Sequence, residues 1–110
     1  MKAKATLRKP EMNKTEEKYA WILEGRKLAG EVLLYLFEKV TLKLGDDCRY
    51  TPDFFVVMAD LSVELHEVKG AFEREDAQVK RKAAADQFPF VFRLARFAEG
   101  QWKVTEIKRG

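Results

Sequence analysis

Two apolar segments joined by a short connection constrain the fold of this chain most strongly. The first, Tyr50 to Met58, is almost continuously apolar after Asp53, which is typical of a strand buried on both faces. The second, Val63 to Lys69, has the composition of another strand. Because only Ala59 to Ser62 lies between them, the two segments predict an antiparallel hairpin.

The second strand carries charge where its apolar face should continue. By the period of two, Glu67 and Lys69 share a face with Val63 and Leu65, whereas His66 lies on the opposite face and is predicted to be a polar packing residue. Buried Glu and Lys are rare unless they are paired or bind something. We therefore expect these two charges at the edge of a cleft.

The hairpin brings Glu67 and Lys69 back beside Asp53, so two carboxylates and an ammonium are predicted at one edge of the sheet. A connection of three residues, or a bulge, would place Asp53 opposite Glu67 or Lys69, and we predict this register rather than a two-residue turn. Carboxylate oxygens suit Mg²⁺, which predicts Asp53 and Glu67 as metal ligands. Lys69 would orient the attacking water or stabilise developing negative charge during phosphodiester hydrolysis. From the residues alone, a surface ion-pair network is the alternative.

A helix is predicted from about Lys14 to Arg26. Asn13 followed by Glu16 has the spacing of an N-cap and capping box, and Tyr19, Ala20, Ile22 and Leu23 recur at helical spacing. Glu16 lies near the centre of this apolar stripe, so it can also point toward the acidic site. Helix capping and metal binding are both open for this residue.

The remaining segments predict further strands and a second helix. The order is α-β-β-β-β-α-β-β, in one domain of mixed α and β structure. Its other elements are strands at Glu31 to Phe37, Val40 to Leu44, Phe90 to Phe97 and Trp102 to Lys108, and a helix at Glu73 to Phe88.

Composition excludes several classes of protein. The 110 residues suit one domain, and one Cys and one His exclude a structural zinc site or an internal disulfide. No run of about 18 apolar residues or signal-peptide pattern is present, which predicts no membrane association and a cytoplasmic location.

The formal net charge of +3 is modest, but the basic residues are clustered. One cluster lies in residues 1–12, which we predict to be a flexible basic arm preceding a domain at residues 13–110. The other lies on the second helix, where the spacing of Arg74, Gln78 and Arg81 predicts one row that can face a phosphate backbone. Ordinary solvated surface is the alternative for both. The predicted DNA-binding residues are Lys2, Lys4, Arg8, Lys9, Arg74, Gln78, Lys80, Arg81 and Lys82.

Several short segments together resemble the PD-(D/E)XK superfamily of restriction-endonuclease-like nucleases, and within it a family of small phage-encoded endonucleases. The elements Pro52-Asp53 and Glu67-Val68-Lys69, on either side of an apolar hairpin and between two helices, carry the resemblance. It reaches most of the chain. The matching segments are Asn13 to Glu16, Tyr50 to Phe54, His66 to Gly70 and Asp76 to Lys80.

The resemblance implies a central mixed sheet flanked by helices, with an αβββαβ core, and Mg²⁺ at Asp53 and Glu67, for which Mn²⁺ can substitute. It also implies catalytic help from Lys69, the Val68 carbonyl as a further metal ligand, Glu16 as an acid completing the site, and a homodimer. The hairpin connection departs from the family pattern, because Asp60-Leu61-Ser62 stands where a glycine is expected.

The expected function is therefore metal-dependent cleavage of DNA. No motif for reading base edges is visible, which favours structure-selective cutting of branched DNA in phage recombination, replication or packaging. The alternative is a non-catalytic DNA-binding or assembly module that retains the nuclease fold.

Overall fold

The computed structural model describes residues 11–70 and 75–109, with the backbone alone for residues 75–77. Their architecture is mixed α+β, with a five-stranded sheet in the order β1-β4-β5-β6-β7 and a separate hairpin of β2 and β3. The described elements are α1 Lys14–Leu28, β1 Val32–Phe37, β2 Leu42–Gly45, β3 Cys48–Tyr50, β4 Phe54–Met58, β5 Val63–Lys69, α2 Glu75–Gln87, β6 Val91–Ala98 and β7 Gln101–Glu106.

The sheet is mixed because β5 and β6 run parallel while the other neighbouring strands run antiparallel. A parallel pair requires a crossover, and α2 supplies it. Two hydrophobic clusters pack against the sheet, one containing α1 residues and the other containing residues of α2, β2 and β3. Tyr19, Leu23 and Phe54 belong to the first cluster, and Leu65 and Ala84 to the second.

Helix α1 begins where the sequence predicts. The Asn13 side chain accepts from the Glu16 amide at 2.8 Å, and Glu16 Oε1 accepts from the Asn13 amide at 2.8 Å. This capping box satisfies two amides that the helix itself leaves without partners. The helix ends at Leu28, slightly later than predicted.

The hairpin of β4 and β5 has the predicted three-residue connection. Met58 N donates to Ser62 O at 2.8 Å, which closes a turn of Ala59, Asp60 and Leu61. Leu61 has a φ of 73°, so it occupies the left-handed conformation that a glycine adopts most readily. Phe54 pairs with His66 and Val57 with Val63; continued by one residue, this register sets Asp53 opposite Glu67.

The prediction of one strand over Tyr50 to Met58 is wrong. Strand β3 ends at Tyr50 and β4 begins at Phe54, so the observed order is α-β-β-β-β-β-α-β-β. Pro52 has no amide hydrogen to donate to a ladder, and the Asp53 side chain, rather than its backbone, bonds to β5 through the Val68 amide. The interruption frees the Asp53 carboxylate from strand geometry and sets it at the edge of the sheet.

The other predicted strands and the second helix are present with small changes of boundary. Helix α2 is described from Glu75 onward, so the predicted first residues of this helix lie outside the described part of the chain. Across residues 11–70 and 75–109, neither helix is long and apolar enough to cross a membrane.

Candidate functional site

Three carboxylates from three elements meet at one edge of the sheet. Glu16 lies in the first turn of α1, Glu38 directly follows β1, and Asp53 directly precedes β4; one oxygen of each lies within 4.8 Å of the others. The antiparallel pairing of Phe37 with Phe54 brings the last two together. The Glu38 amide also donates to the Asp53 carbonyl at 2.9 Å, which fixes their backbones. We call these three residues the acid cluster.

Asp53 is the buried member of the acid cluster, with 8% of its surface exposed. Its Oδ2 accepts from the Val68 amide at 2.8 Å. Burial, and then the charges of Glu67 and Glu16, raise the pKa of Asp53 to about 7, although the Val68 hydrogen bond and the Lys69 charge act in the opposite direction. Near neutral pH this carboxyl group is therefore poised between its neutral and charged forms.

Glu67 and Lys69 adjoin Asp53 from β5. Lys69 Nζ lies 3.5 Å from Glu67 Oε2, and the Tyr50 hydroxyl donates to Glu67 Oε1 at 2.7 Å. Burial and the Glu67 charge raise the pKa of Tyr50 well above its usual value, so this hydroxyl stays protonated and acts as a donor. Tyr50 from β3 thereby ties the small hairpin to the site.

Glu38 belongs to the acid cluster but was not predicted from the sequence. Burial, followed by the charges of Glu16 and Glu67, raises its pKa. Its φ of 49° shows that the chain turns sharply there, directly after the strand. An acid at the end of the apolar run Val32–Phe37 was the available signal, and using it required knowing that β1 pairs with β4.

Of the two roles that the sequence left open for Glu16, the structure shows helix capping. One of its oxygens caps α1 through the Asn13 amide, while the residue also contributes an oxygen to the acid cluster. The cap fixes the direction of the side chain before any ligand binds. Its role in binding a metal stays a prediction.

The donor chemistry of the acid cluster fits a hard divalent cation. Around Mg²⁺, ligand oxygens at about 2.1 Å lie roughly 3 to 4 Å apart, so the three carboxylates need only a small approach to share one ion. Burial is the largest cause of the raised pKa values of Asp53 and Glu38, and the Glu16 charge raises both further; a bound cation would act in the opposite direction. Glu67, which the sequence predicts as the second ligand, is not one of the carboxylates that meet in the acid cluster, although its charge acts on Asp53 and Glu38. Its role in binding a metal stays a prediction.

The opposite face of β5 carries a second polar network. His66 is fully buried; its Nε2 lies 2.8 Å from Glu64 Oε1 and its Nδ1 lies 2.6 Å from the Tyr19 hydroxyl. Arg93 donates to both Glu64 oxygens, at 2.9 and 3.2 Å. Because a carboxylate only accepts, Nε2 carries the proton and Nδ1 accepts from Tyr19. His66 is thus the polar packing residue that the sequence predicts.

The cations predicted on the second helix do not share one environment. Gln78, Lys80 and Lys82 are exposed on α2, and Lys82 Nζ contacts Asp86 at 3.2 Å. Arg81 is buried, with 5% exposure, so it does not line a solvent-facing row with Gln78 as predicted. It lies three and four residues before the buried Ala84 and Ala85, on the side of the helix that packs inward. Its charge also acts on Tyr50.

Some predicted residues are not tested by this geometry. Val68 contributes its amide to Asp53, and metal binding by its carbonyl stays a prediction. The remaining predicted DNA-binding residues, Lys2, Lys4, Arg8, Lys9 and Arg74, lie outside the described residues.

Comparison of the chain with protein-family models, with curated proteins and with solved structures finds no match. The site is therefore interpreted from its own residues.

Proposed function

We propose that this protein is a metal-dependent DNA endonuclease of the PD-(D/E)XK type. The observation that carries the proposal is the convergence of the acid cluster with Glu67 and Lys69 at one edge of the sheet. A carboxylate whose pKa is raised to about 7 by burial, and further by neighbouring acids, is costly unless a ligand offsets the charge. Structural stability alone gives no reason for this arrangement.

The order of elements around the sheet supports the same proposal. Helix α1, strands β1, β4 and β5, helix α2 and strand β6 follow one another in the order α-β-β-β-α-β, with β2 and β3 as an inserted hairpin. This is the order of the restriction-endonuclease-like core that the sequence resembles. The candidate residues lie at the ends of the strands where that core would hold them.

In this proposal, Asp53 and Glu67 hold Mg²⁺ or Mn²⁺, and Glu16 and Glu38 complete the acidic environment. The ion would supply Lewis-acid stabilisation of negative charge at the phosphodiester. Lys69, held near Glu67, directs its ammonium toward the attacked phosphate and stabilises charge as it develops there. Tyr50 holds Glu67 through Oε1, so Oε2, which also contacts Lys69 Nζ at 3.5 Å, is the oxygen that would face the ion.

The proposed substrate is DNA, cut with selectivity for branched structure rather than for sequence. Exposed Gln78, Lys80 and Lys82 on α2 suit contacts to phosphates, which position a duplex without reading it. A homodimer would set two sites against two strands. Such an activity suits recombination, replication or packaging of phage DNA.

The test is incubation of the purified protein with labelled linear, flap and four-way-junction DNA, in Mg²⁺, in Mn²⁺ and in chelator. We expect metal-dependent cleavage, with the branched substrates preferred. Asp53→Asn, Glu67→Gln and Lys69→Ala should each reduce the rate by at least about 100-fold, since each removes a charge used in the reaction. Glu16→Gln should have a smaller effect, because Gln retains the capping box.

Asp46→Asn is the matched control for the loss of one acid, because Asp46 is fully exposed and lies outside the acid cluster. It should cleave at the wild-type rate. Binding of DNA without cleavage by the wild type in either metal would favour the non-catalytic binding module. Wild-type cleavage by Lys69→Ala would show that the mechanism is wrong.

A further inference from the structure

Most of the exposed large apolar side chains in the described part of the chain lie along one edge of the molecule. Strand β1 forms that edge of the five-stranded sheet, and α1 packs beside it. The two elements expose Trp21 (78%), Leu28 (81%), Leu33 (50%), Leu34 (37%) and Leu36 (41%). The other exposed apolar side chains of this size are spread singly over the β4–β5 turn, α2 and β7. We call the surface formed by β1 and the adjoining side of α1 the open edge.

The two edges of the sheet differ in how they would meet another chain. Strand β7 carries Lys103 and Glu106, and charged residues on an edge strand discourage pairing with a further strand. Strand β1 has the sequence VLLYLF, without a charge. Its β-bulge lies at the start, between Val32 and Leu34, so residues 34–37 keep a regular ladder with β4. This regular part of β1 is a template for another strand.

The backbone groups that face outward from this regular part belong to Tyr35 and Phe37. The Glu38 amide donates to the Asp53 carbonyl, so Glu38 and, by alternation, Leu36 direct their backbone groups toward β4. A second β1, running antiparallel with a two-fold axis at Leu36, would pair Tyr35 of each copy with Phe37 of the other. Both outward amides and both outward carbonyls of each copy then have partners, and the two Leu36 side chains lie directly opposite each other.

Helix α1 fits the same symmetry axis. It runs antiparallel to β1, since its C-terminal end leads into β1 through residues 29–31, while Glu16 in its first turn meets Glu38 just after β1. An axis at Leu36 therefore passes near the middle of α1. Trp21 lies there, and it lines a groove between α1 and β1. Two copies would cover this groove with apolar surface from both sides.

The charges of α1 are complementary under this symmetry. Its first turn contains Glu17 and its last turn contains Lys27, and both side chains are exposed. The two-fold axis sets the first turn of each helix beside the last turn of the other, so Glu17 of one copy faces Lys27 of the second copy. A nucleic acid on this surface would instead meet Glu17 and Glu24 in the groove, and no cation on β1.

We propose that a second copy of this chain docks on the open edge, with β1 paired antiparallel to β1 across a two-fold axis at Leu36. Each copy offers the same groups to the other, as a two-fold interface requires. The inference rests on the proposed function, because it names the interface of the homodimer proposed there. Glu38 lies two residues from Leu36, so the two Glu38 residues would lie about 14 Å apart along the strands, with one acid cluster on each side of the axis.

The test is sedimentation equilibrium over about 1 to 200 μM protein, because a small interface is expected to be weak. At the upper concentrations the wild type should have twice the 12.8 kDa mass of one chain. Leu36→Lys and Leu36→Glu each set like charges opposite each other and should weaken dimerisation about 100-fold. An equal mixture of the two variants should dimerise again, because opposite charges then meet at the axis.

Val104→Lys is the matched control, because Val104 is 45% exposed on β7 at the other edge of the sheet. It should dimerise as the wild type does, and thermal unfolding verifies that each variant folds. A wild type that stays monomeric would overturn the proposal and leave the open edge to a partner of another sequence. Equal weakening by Val104→Lys and Leu36→Lys would also overturn it, as would a mixture of the two Leu36 variants that stays monomeric.

The two proposals fail separately, because sedimentation needs neither DNA nor metal. A dimer that responds to the Leu36 variants as expected, but never cleaves DNA, would remove the nuclease proposal alone. A protein that cleaves DNA with a metal and stays monomeric would remove the open-edge interface alone.

Discussion

Strand β5 has a buried carboxylate on each face, and the two faces compensate charge differently. Toward α1, Glu64 receives hydrogen bonds from His66 and Arg93, which hold its pKa down at about 2. On the other face, Glu67 adjoins Asp53, and burial together with that like charge raises the pKa of Asp53 to about 7. We call the Glu64 side balanced, and the Glu67 side unbalanced, because Asp53 and Glu67 repel each other although Lys69 contacts Glu67.

This difference separates structural polar groups from candidate functional ones. Buried polar groups that are fully paired specify the packing of the elements that carry them. Buried acids that repel one another cost stability, and an added cation is the simplest compensation.

The largest effect on stability is expected in the balanced network of Glu64, His66 and Arg93. Arg93→Met keeps the apolar stem but leaves Glu64 buried without its cation, so the free energy of unfolding should fall by about 3 kcal/mol at pH 7. The lowered pKa of Glu64 contributes stability that is present above about pH 4.5 and is lost as the pH falls toward 2. The loss measured by urea unfolding should therefore shrink in acid.

Arg49→Met is the control for Arg93→Met, because Arg49 is exposed on β3. It should change the free energy of unfolding by less than about 0.5 kcal/mol. Equal losses in the two variants would contradict the view that the Glu64 network is structurally important.

The sequence predicted most of the sheet because its apolar runs and turn residues agree locally. The hairpin register followed from the short connection between Met58 and Val63, and the α1 cap followed from Asn13 and Glu16. These features depend on residues near one another along the chain. The predicted juxtaposition of Asp53 with Glu67 rested on the same local geometry.

The features that sequence reasoning missed depend on distant contacts. Glu38 joins the acid cluster only because β1 pairs with β4. The break before Phe54 has a local cause in Pro52, but the bond of the Asp53 side chain to the Val68 amide is a distant contact. Arg81 was placed on the surface by helical spacing alone, whereas packing of α2 against the protein buries it. No local pattern contains this information.

On the unbalanced side, where Asp53 and Glu67 repel each other, removing the charge of Asp53 should stabilise the protein. The raised pKa of Asp53 means that the native state holds its proton more tightly than the unfolded state, so wild-type stability falls as the pH rises from about 4 to 7. Asp53→Asn does not titrate and retains an acceptor for the Val68 amide. Its free energy of unfolding should exceed that of the wild type by about 2 kcal/mol at pH 8, and match it near pH 4.

Excess Mg²⁺ at pH 8 should raise the melting temperature of the wild type and have a smaller effect on Asp53→Asn, because binding to the native state stabilises it. Asp46→Asn should behave as the wild type in both measurements. Destabilisation of Asp53→Asn at pH 8 would mean that the acid cluster is balanced after all.

A smaller effect is expected for the Tyr50 hydroxyl, which donates to Glu67 on the unbalanced side. Tyr50→Phe removes the donor to Glu67 Oε1, and a hydrogen bond to a carboxylate contributes about 1.5 kcal/mol. We expect a loss of that size in urea unfolding at pH 8. Tyr35→Phe, which removes a partly exposed bond to Glu24, should lose less than about 0.7 kcal/mol. Equal losses would mean that Tyr50 does not specifically support Glu67.

The smallest effect is expected for the turn between β4 and β5, whose length sets the register of the two strands. Leu61 has a φ of 73°, which is unfavourable for a residue with a Cβ, and its side chain is 70% exposed. Leu61→Gly relieves this strain and loses few contacts, because the side chain is mostly exposed. Glycine also makes the unfolded chain more flexible, which offsets part of the gain. The free energy of unfolding should therefore rise by about 0.5 kcal/mol. Leu61→Ala keeps the strained conformation and should show no gain. Because neither variant changes the length of the turn, both should retain the register that sets Phe54 opposite His66. Both should therefore also retain the stabilisation by Mg²⁺. Loss of that stabilisation in Leu61→Gly would show that the Leu61 side chain supports the site directly, and not only through the turn.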